Sequence, residues 1–237
     1  MIQGILLDYG GTIDTNGLHW AVVMYDIYQK NDIPVTKAAF EQAFSHGERT
    51  LALQKFIYPE HNFLDTLSIK TGIQFKFLVQ HGYLTEADYS NVINVIANDC
   101  NNFAVQTIEQ ARPVLEKLFS QYRIVLVSNF YGNIQTVLKK FDLQKYFIDV
   151  VESAVVGIRK PDAAIFSYGA NVLQLPSQNC VVIGDSYSKD IVPGKNAGCK
   201  TIWLKGQGLG DDPEQTSSAD IIVKNFTELP SAIAAII

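Results

Sequence analysis

The stretch Ile5-Leu6-Leu7-Asp8-Tyr9-Gly10-Gly11-Thr12 is a short apolar run that stops at a carboxylate and turns on two glycines. The form recurs at Ile124-Val125-Leu126-Val127-Ser128 and at Val181-Val182-Ile183-Gly184-Asp185, each run again ending in a polar residue. Thr201-Ile202-Trp203-Leu204 and Ile221-Ile222-Val223 are two further runs of the same kind. Continuous apolar runs of this length fit strands covered on both faces, as in a parallel sheet. Between them lie stretches of helical length, Asn133 to Phe141, Asp162 to Leu173 and Ser188 to Ala197. The alternation predicts an α/β fold, a doubly wound parallel sheet.

From about Thr15 to Gln106 the alternation stops. Helical patterns follow one another, His19 to Lys30, Lys37 to Phe44, Phe63 to Phe77 and Glu86 to Ala97, with no strand-like run between them. Thr85 with Asp88 three residues on gives the last of these a capping-box-like start. The expected organisation is an all-helical domain, residues 16–106, inserted into an α/β core formed by residues 1–15 and 107–237. Gly206 to Ser218 is the most loop-like stretch.

Composition narrows the function. Of 237 residues 47% are apolar and 18% charged, which excludes a disordered or collagen-like chain. The formal net charge of −5 gives no footprint for nucleic acid or for an anionic membrane, so neither is expected as a partner. No apolar stretch has the ~18 residues of a membrane span. Met1 to Asp8 lacks the basic start of a secretion signal. Cys100, Cys180 and Cys199 stand far apart without metal-ligand spacing, as buried thiols of a reducing compartment do. A cytoplasmic protein is expected, as monomer or homodimer.

In an open α/β sheet, ligands bind at the carboxyl ends of the strands. Asp8, Ser128 and Asp185 end three of the apolar runs, and Lys160 in Arg159-Lys160-Pro161-Asp162 precedes a helix. Two carboxylates, a hydroxyl and an ammonium at one sheet edge suit a phosphoryl group with Mg²⁺. Carboxylates bind a hard cation, while lysine and hydroxyl orient phosphate oxygens. A carboxylate can also attack phosphorus and form an aspartyl-phosphate.

Taken together these residues resemble the haloacid dehalogenase superfamily over nearly the whole chain. Asp8-Tyr9-Gly10-Gly11-Thr12 is similar to its nucleophile loop, Val127-Ser128-Asn129 to its second motif, and Lys160-Pro161-Asp162 to its third. Gly184-Asp185-Ser186 with Asp190 is similar to the acidic fourth. The helical insertion resembles the cap of the subgroup containing phosphoglycolate phosphatases, β-phosphoglucomutases and phosphonoacetaldehyde hydrolases. The resemblance implies a hydrolase of a small phosphorylated metabolite. Asp8 would be the nucleophile, with Ser128 and Lys160 beside it in catalysis. Gly11, Thr12 and Asn129 would bind substrate. Mg²⁺ would sit on Asp8, the Gly10 carbonyl and Asp185, with Ser186 and Asp190 behind them.

One position departs from the pattern. Phosphatases of this superfamily carry a second aspartate two residues after the nucleophile as general acid and base, and Gly10 stands there instead. Glycine moves no proton, and losing such a group costs ~10²–10⁴-fold in rate. Two alternatives follow, a catalytically impaired protein that binds Mg²⁺ and a phosphorylated ligand, and a phosphonatase-type C–P hydrolase. The latter needs a cap lysine that can form an imine; Arg49 occupies roughly that region and cannot. Arg49 is instead a candidate contact for a second anionic group. His19 resembles a hinge histidine of β-phosphoglucomutases and is either a structural residue behind the site or a substitute proton shuttle.

Overall fold

The computed structural model describes residues 1–87, 89–208 and 218–236. Six strands form one sheet: β1 (Gly4–Leu7), β2 (Arg123–Ser128), β3 (Asp149–Glu152), β4 (Cys180–Gly184), β5 (Lys200–Leu204) and β6 (Ile221–Val223). Their order is β3-β2-β1-β4-β5-β6 and every pairing is parallel. The expected α/β sheet is therefore the observed one. β3 is an addition: Asp149-Val150-Val151-Glu152 has two apolar residues between two acids and lies at the sheet's edge.

Alternation along the central strands covers both faces. Ile5 and Leu7 join the large apolar cluster that continues into the helical region, while Leu6 packs with Val125, Val127, Phe166 and Val182 on the other side. Leu7 lies opposite Leu126 and Ile183 in register. That register brings Asp8, Ser128 and Asp185 out at one level of one sheet edge.

The helical region contains α1 (Trp20–Lys30), α2 (Lys37–Leu53), α3 (Phe63–Gln80) and α4 (Ser90–Phe119). Asn62 and Asp65 form a capping box at the start of α3. The Thr85–Asp88 start is not where α4 begins, and Asp88 lies outside the described residues. α4 runs unbroken for 30 residues. The boundary drawn at Gln106 thus falls inside a helix rather than in a linker, and the apolar cluster is shared across it.

Beyond α4 come α5 (Ile134–Lys140), α6 (Ser153–Val156), α7 (Ala164–Val172), α8 (Val192–Asn196) and α9 (Leu229–Ala235). The single helix expected from Ser188 to Ala197 is divided into a π-helical turn, Tyr187–Ile191, and α8 with Pro193 in its first turn. No helix of the described residues is long and apolar enough to cross a membrane. All three cysteines are free and buried.

Candidate active site

Asp8 leaves β1 with its N–H bonded to the Ile183 carbonyl (2.9 Å), which fixes the start of the Asp8–Thr12 loop to the neighbouring strand. Its Oδ1 accepts from Lys160 Nζ at 2.6 Å, and the same ammonium donates to Asp190 Oδ1 at 2.6 Å. All three groups are buried. Burial works against the lysine's charge, but Asp190 and Asp8 outweigh it and hold the ammonium above the ordinary lysine range. Lys160 is placed by Asn129, whose amide accepts from the Lys160 N–H and donates to its carbonyl, both at 3.0 Å. The Lys160–Pro161 peptide is cis.

Thr12 ties the other carboxylate in. Its hydroxyl lies 3.2 Å from Asp8 Oδ2 and 3.1 Å from Asp185 Oδ1, and it accepts from the Asp185 N–H at 3.1 Å. A Cβ at Gly11, whose φ is +95°, would run into the Asp185 carboxylate, so only glycine fits this approach. Ser186 donates its N–H to Asp190 Oδ2 (3.1 Å) and caps the π turn through its hydroxyl.

Asp8, Asp185 and Asp190 each offer a carboxylate oxygen, all within 4.8 Å of one another. Burial, then the neighbouring Asp8 and Asp190, push the Asp185 carboxyl well above the usual range. Burial pushes Asp190 up to about 6, with Lys160 pulling the other way. Lys160 bonds two of the three carboxylates, and the surplus negative charge fits a hard divalent cation.

These groups form the floor of a cavity of about 250 Å³. Asp8, Gly10, Gly11, Ser128, Asn129, Lys160, Asp185, Ser186 and Asp190 all line it. Thr12 does not: it is fully buried beneath, where it holds two carboxylates together rather than facing a substrate. Arg49 is corrected likewise. It is exposed and outside the lining, because one step along α2 turns Glu48 inward and Arg49 out. His19 does reach the cavity, as the N-cap of α1 with Nδ1 accepting from the Ala21 N–H (3.1 Å). Burial, with Lys189 and Lys70 nearby, lowers its pKa to about 4.

The helical side supplies the roof. Glu48 of α2 pairs with Lys70 of α3 and accepts from the Tyr131 hydroxyl at 3.3 Å, a contact between the helical region and the loop after β2. Burial opposes the Lys70 charge, but Glu48 outweighs it and keeps the ammonium protonated. Asn133 Nδ2 donates to Thr66 Oγ1 (2.9 Å) and closes the same seam.

The family model of the haloacid dehalogenase-like hydrolases matches residues 2–198. The chain belongs to that family. It is similar to the N-acylneuraminate-9-phosphatase of Homo sapiens, 32% identical over 133 residues that cover 54% of this chain and 52% of that protein. It is also similar to the pyrimidine 5'-nucleotidase YjjG of Escherichia coli (strain K12), 32% identical over 128 residues covering 53% of each. The chain thus spans about half the length of the curated relatives it matches. A 2-haloacid dehalogenase from Pseudomonas syringae pv. Tomato shares the fold, with a TM-score of 0.54, 22% identity and 99% of both chains covered.

In this haloacid dehalogenase-like hydrolase, four cavity residues carried no sequence signal strong enough to single them out: Asp14, Glu48, Lys70 and Tyr131. Glu48 and Lys70 read as ordinary polar positions of amphipathic helices. Asp14 reads as a solvated turn residue, yet it is buried, accepting from the Gly11 N–H (2.7 Å) and from Trp20 Nε1 (2.9 Å).

Proposed function

We propose that this chain is a Mg²⁺-dependent phosphatase of a small phosphorylated metabolite, working through an aspartyl-phosphate on Asp8. The observation that carries this reading is the Lys160 ammonium held between Asp8 and Asp190 on the cavity floor. It lies where the equatorial oxygens of a phosphoryl group attacked by Asp8 would gather negative charge. Ser128 lines the cavity from the end of β2 and is the hydroxyl for another phosphoryl oxygen. Asp8, Asp185 and the Gly10 carbonyl would hold Mg²⁺, with Asp190 and Ser186 behind them. The ion neutralises phosphoryl charge when bound.

In the first step an Asp8 oxygen bonds to phosphorus as the ester bond breaks and the alcohol leaves. In the second, water attacks the same phosphorus, the acyl-phosphate bond breaks, and Asp8 and inorganic phosphate are returned. The two phosphatase-type relatives support this reaction class. Residues 16–106 act as a cap, closed onto the sheet side through Glu48–Tyr131 and Thr66–Asn133. Buried free thiols agree with a reducing cytoplasm.

A phosphonatase-type reaction finds its cap lysine in Lys70, which lines the cavity. Glu48 holds that ammonium protonated, and a protonated amine cannot start an imine. Hydrolysis of a panel of phosphate esters tests the proposal. Turnover that needs Mg²⁺ and is lost in Asp8→Asn supports it; Asp8→Asn turning over like the parent overturns it. Asp185→Ala is expected to shift the Mg²⁺ titration to higher concentration.

A further inference from the structure

Transfer of a phosphoryl group from an alcohol to Asp8 leaves an alkoxide unless something protonates it, and water attacking the aspartyl-phosphate must lose a proton to something. Gly10 offers neither service. A Cβ built on Gly10 meets no atom within 4 Å, so the space beside this residue is open cavity.

Besides Asp8, the imidazole and carboxyl groups lining that space are His19, Glu48, Asp190, Asp185 and Asp14. His19 has Nδ1 occupied by the Ala21 N–H, and with its pKa lowered to about 4 it is neutral at pH 7, so it has no imidazolium proton to give. Glu48 is held ionised by Lys70. Asp190 is ion-paired with the Lys160 ammonium, which opposes its protonation. Asp185 belongs to the metal-binding set. Asp14 remains. Its Oδ1 accepts from the N–H of Gly11, the residue next to Gly10, and it lines the cavity shared with Asp8.

We infer that Asp14 is the general acid and base of this site, standing in for the side chain that Gly10 lacks. Burial pushes its carboxyl up to about 7, with Asp8 adding to the shift and the Gly11 and Trp20 hydrogen bonds opposing it. A group that titrates there is suited to both halves of the reaction. In the first half the Asp14 proton passes to the departing oxygen as the phosphorus–oxygen bond breaks. In the second, the Asp14 carboxylate takes a proton from the water that attacks phosphorus, which restores the acid. This inference rests on the proposed aspartyl-phosphate chemistry.

The test compares phenyl phosphate with 4-nitrophenyl phosphate, two esters of nearly one size whose leaving groups differ in their need for a proton. The parent protein is expected to hydrolyse them at kcat/KM values within about tenfold of each other. Asp14→Asn should lose ~10²–10⁴-fold on phenyl phosphate and far less on 4-nitrophenyl phosphate. Placing a carboxylate at the open position, Gly10→Asp in the Asp14→Asn background, should restore phenyl phosphate turnover, which no loss of packing would allow. A parent that already favours 4-nitrophenyl phosphate by more than ~10² overturns the inference without any variant. An equal loss, or no loss, on the two esters in Asp14→Asn also overturns it. Were no Asp8-dependent turnover found at all, the phosphatase reading itself would fall, and this inference with it.

Discussion

Gly184 stands so close to Asp190 that a methyl group on its Cα would lie 2.6 Å from Asp190 Cβ. The last residue of β4 is therefore a glycine for a steric reason: Asp190 must come in over it to reach Lys160. Gly184→Ala should push Asp190 off Lys160, at a stability cost of about 1–3 kcal/mol typical of overpacking. Turnover should fall with it. Calorimetry and an aryl-phosphate assay check both, and an unshifted, fully active variant would show that the position of Asp190 does not matter.

Lys160→Met should be more damaging. Removing the ammonium leaves Asp8 and Asp190 buried without their counter-charge, a loss of about 3–5 kcal/mol for a broken buried pair. Burial already raises the Asp190 carboxyl to about 6, and without Lys160 to oppose it Asp190 would hold its proton more tightly still in the folded chain. The deficit should accordingly shrink as pH falls and Asp190 protonates. Urea unfolding of parent and variant at neutral and mildly acidic pH measures the difference.

His19 gives a second pH dependence of opposite form. Its folded pKa of about 4 lies below the ordinary 6.5, so the unfolded chain binds the extra proton between those values. Stability contributed by neutral His19 is complete above pH 6.5 and is lost as pH falls toward 4. The loss is on the order of 1–2 kcal/mol for a partly solvated ring. His19→Asn keeps an oxygen acceptor at the helix N-cap and has nothing to titrate. Its melting temperature should fall less than the parent's between pH 6.5 and pH 4.5.

The sheet and its floor of polar residues were legible because β1, β2 and β4 are unbroken apolar runs followed by the polar residues that line the cavity. β3 was not, since Val150 and Val151 alone make too short a run to stand out from loop. α4 was cut short in the sequence because Asn94, Asn98, Asn101 and Asn102 dilute its helical pattern; asparagine is a poor helix former. In the structure the buried Ile96, Cys100, Ala104, Ile108, Ala111 and Leu115 recur at helical spacing, and tertiary burial overrides that propensity. The roof was the hardest part. Choosing Glu48 over Arg49 requires the rotation of α2 about its axis, and a phase error of one residue, ~100°, reverses the answer. Asp14 was hidden for another reason: nothing in Ile13-Asp14-Thr15 says that Trp20 will fold back to cover it.

The account rests on Asp8 carrying a phosphoryl group, and trapping that group tests it most directly. The protein is mixed with Mg²⁺ and 4-nitrophenyl phosphate, quenched in acid, digested and mass-analysed. The account predicts a phosphoryl adduct on the peptide containing Asp8, cleaved by hydroxylamine as an acyl phosphate is, and absent from Asp8→Asn. Turnover without any adduct at Asp8, or an adduct on another residue that persists in Asp8→Asn, would contradict it.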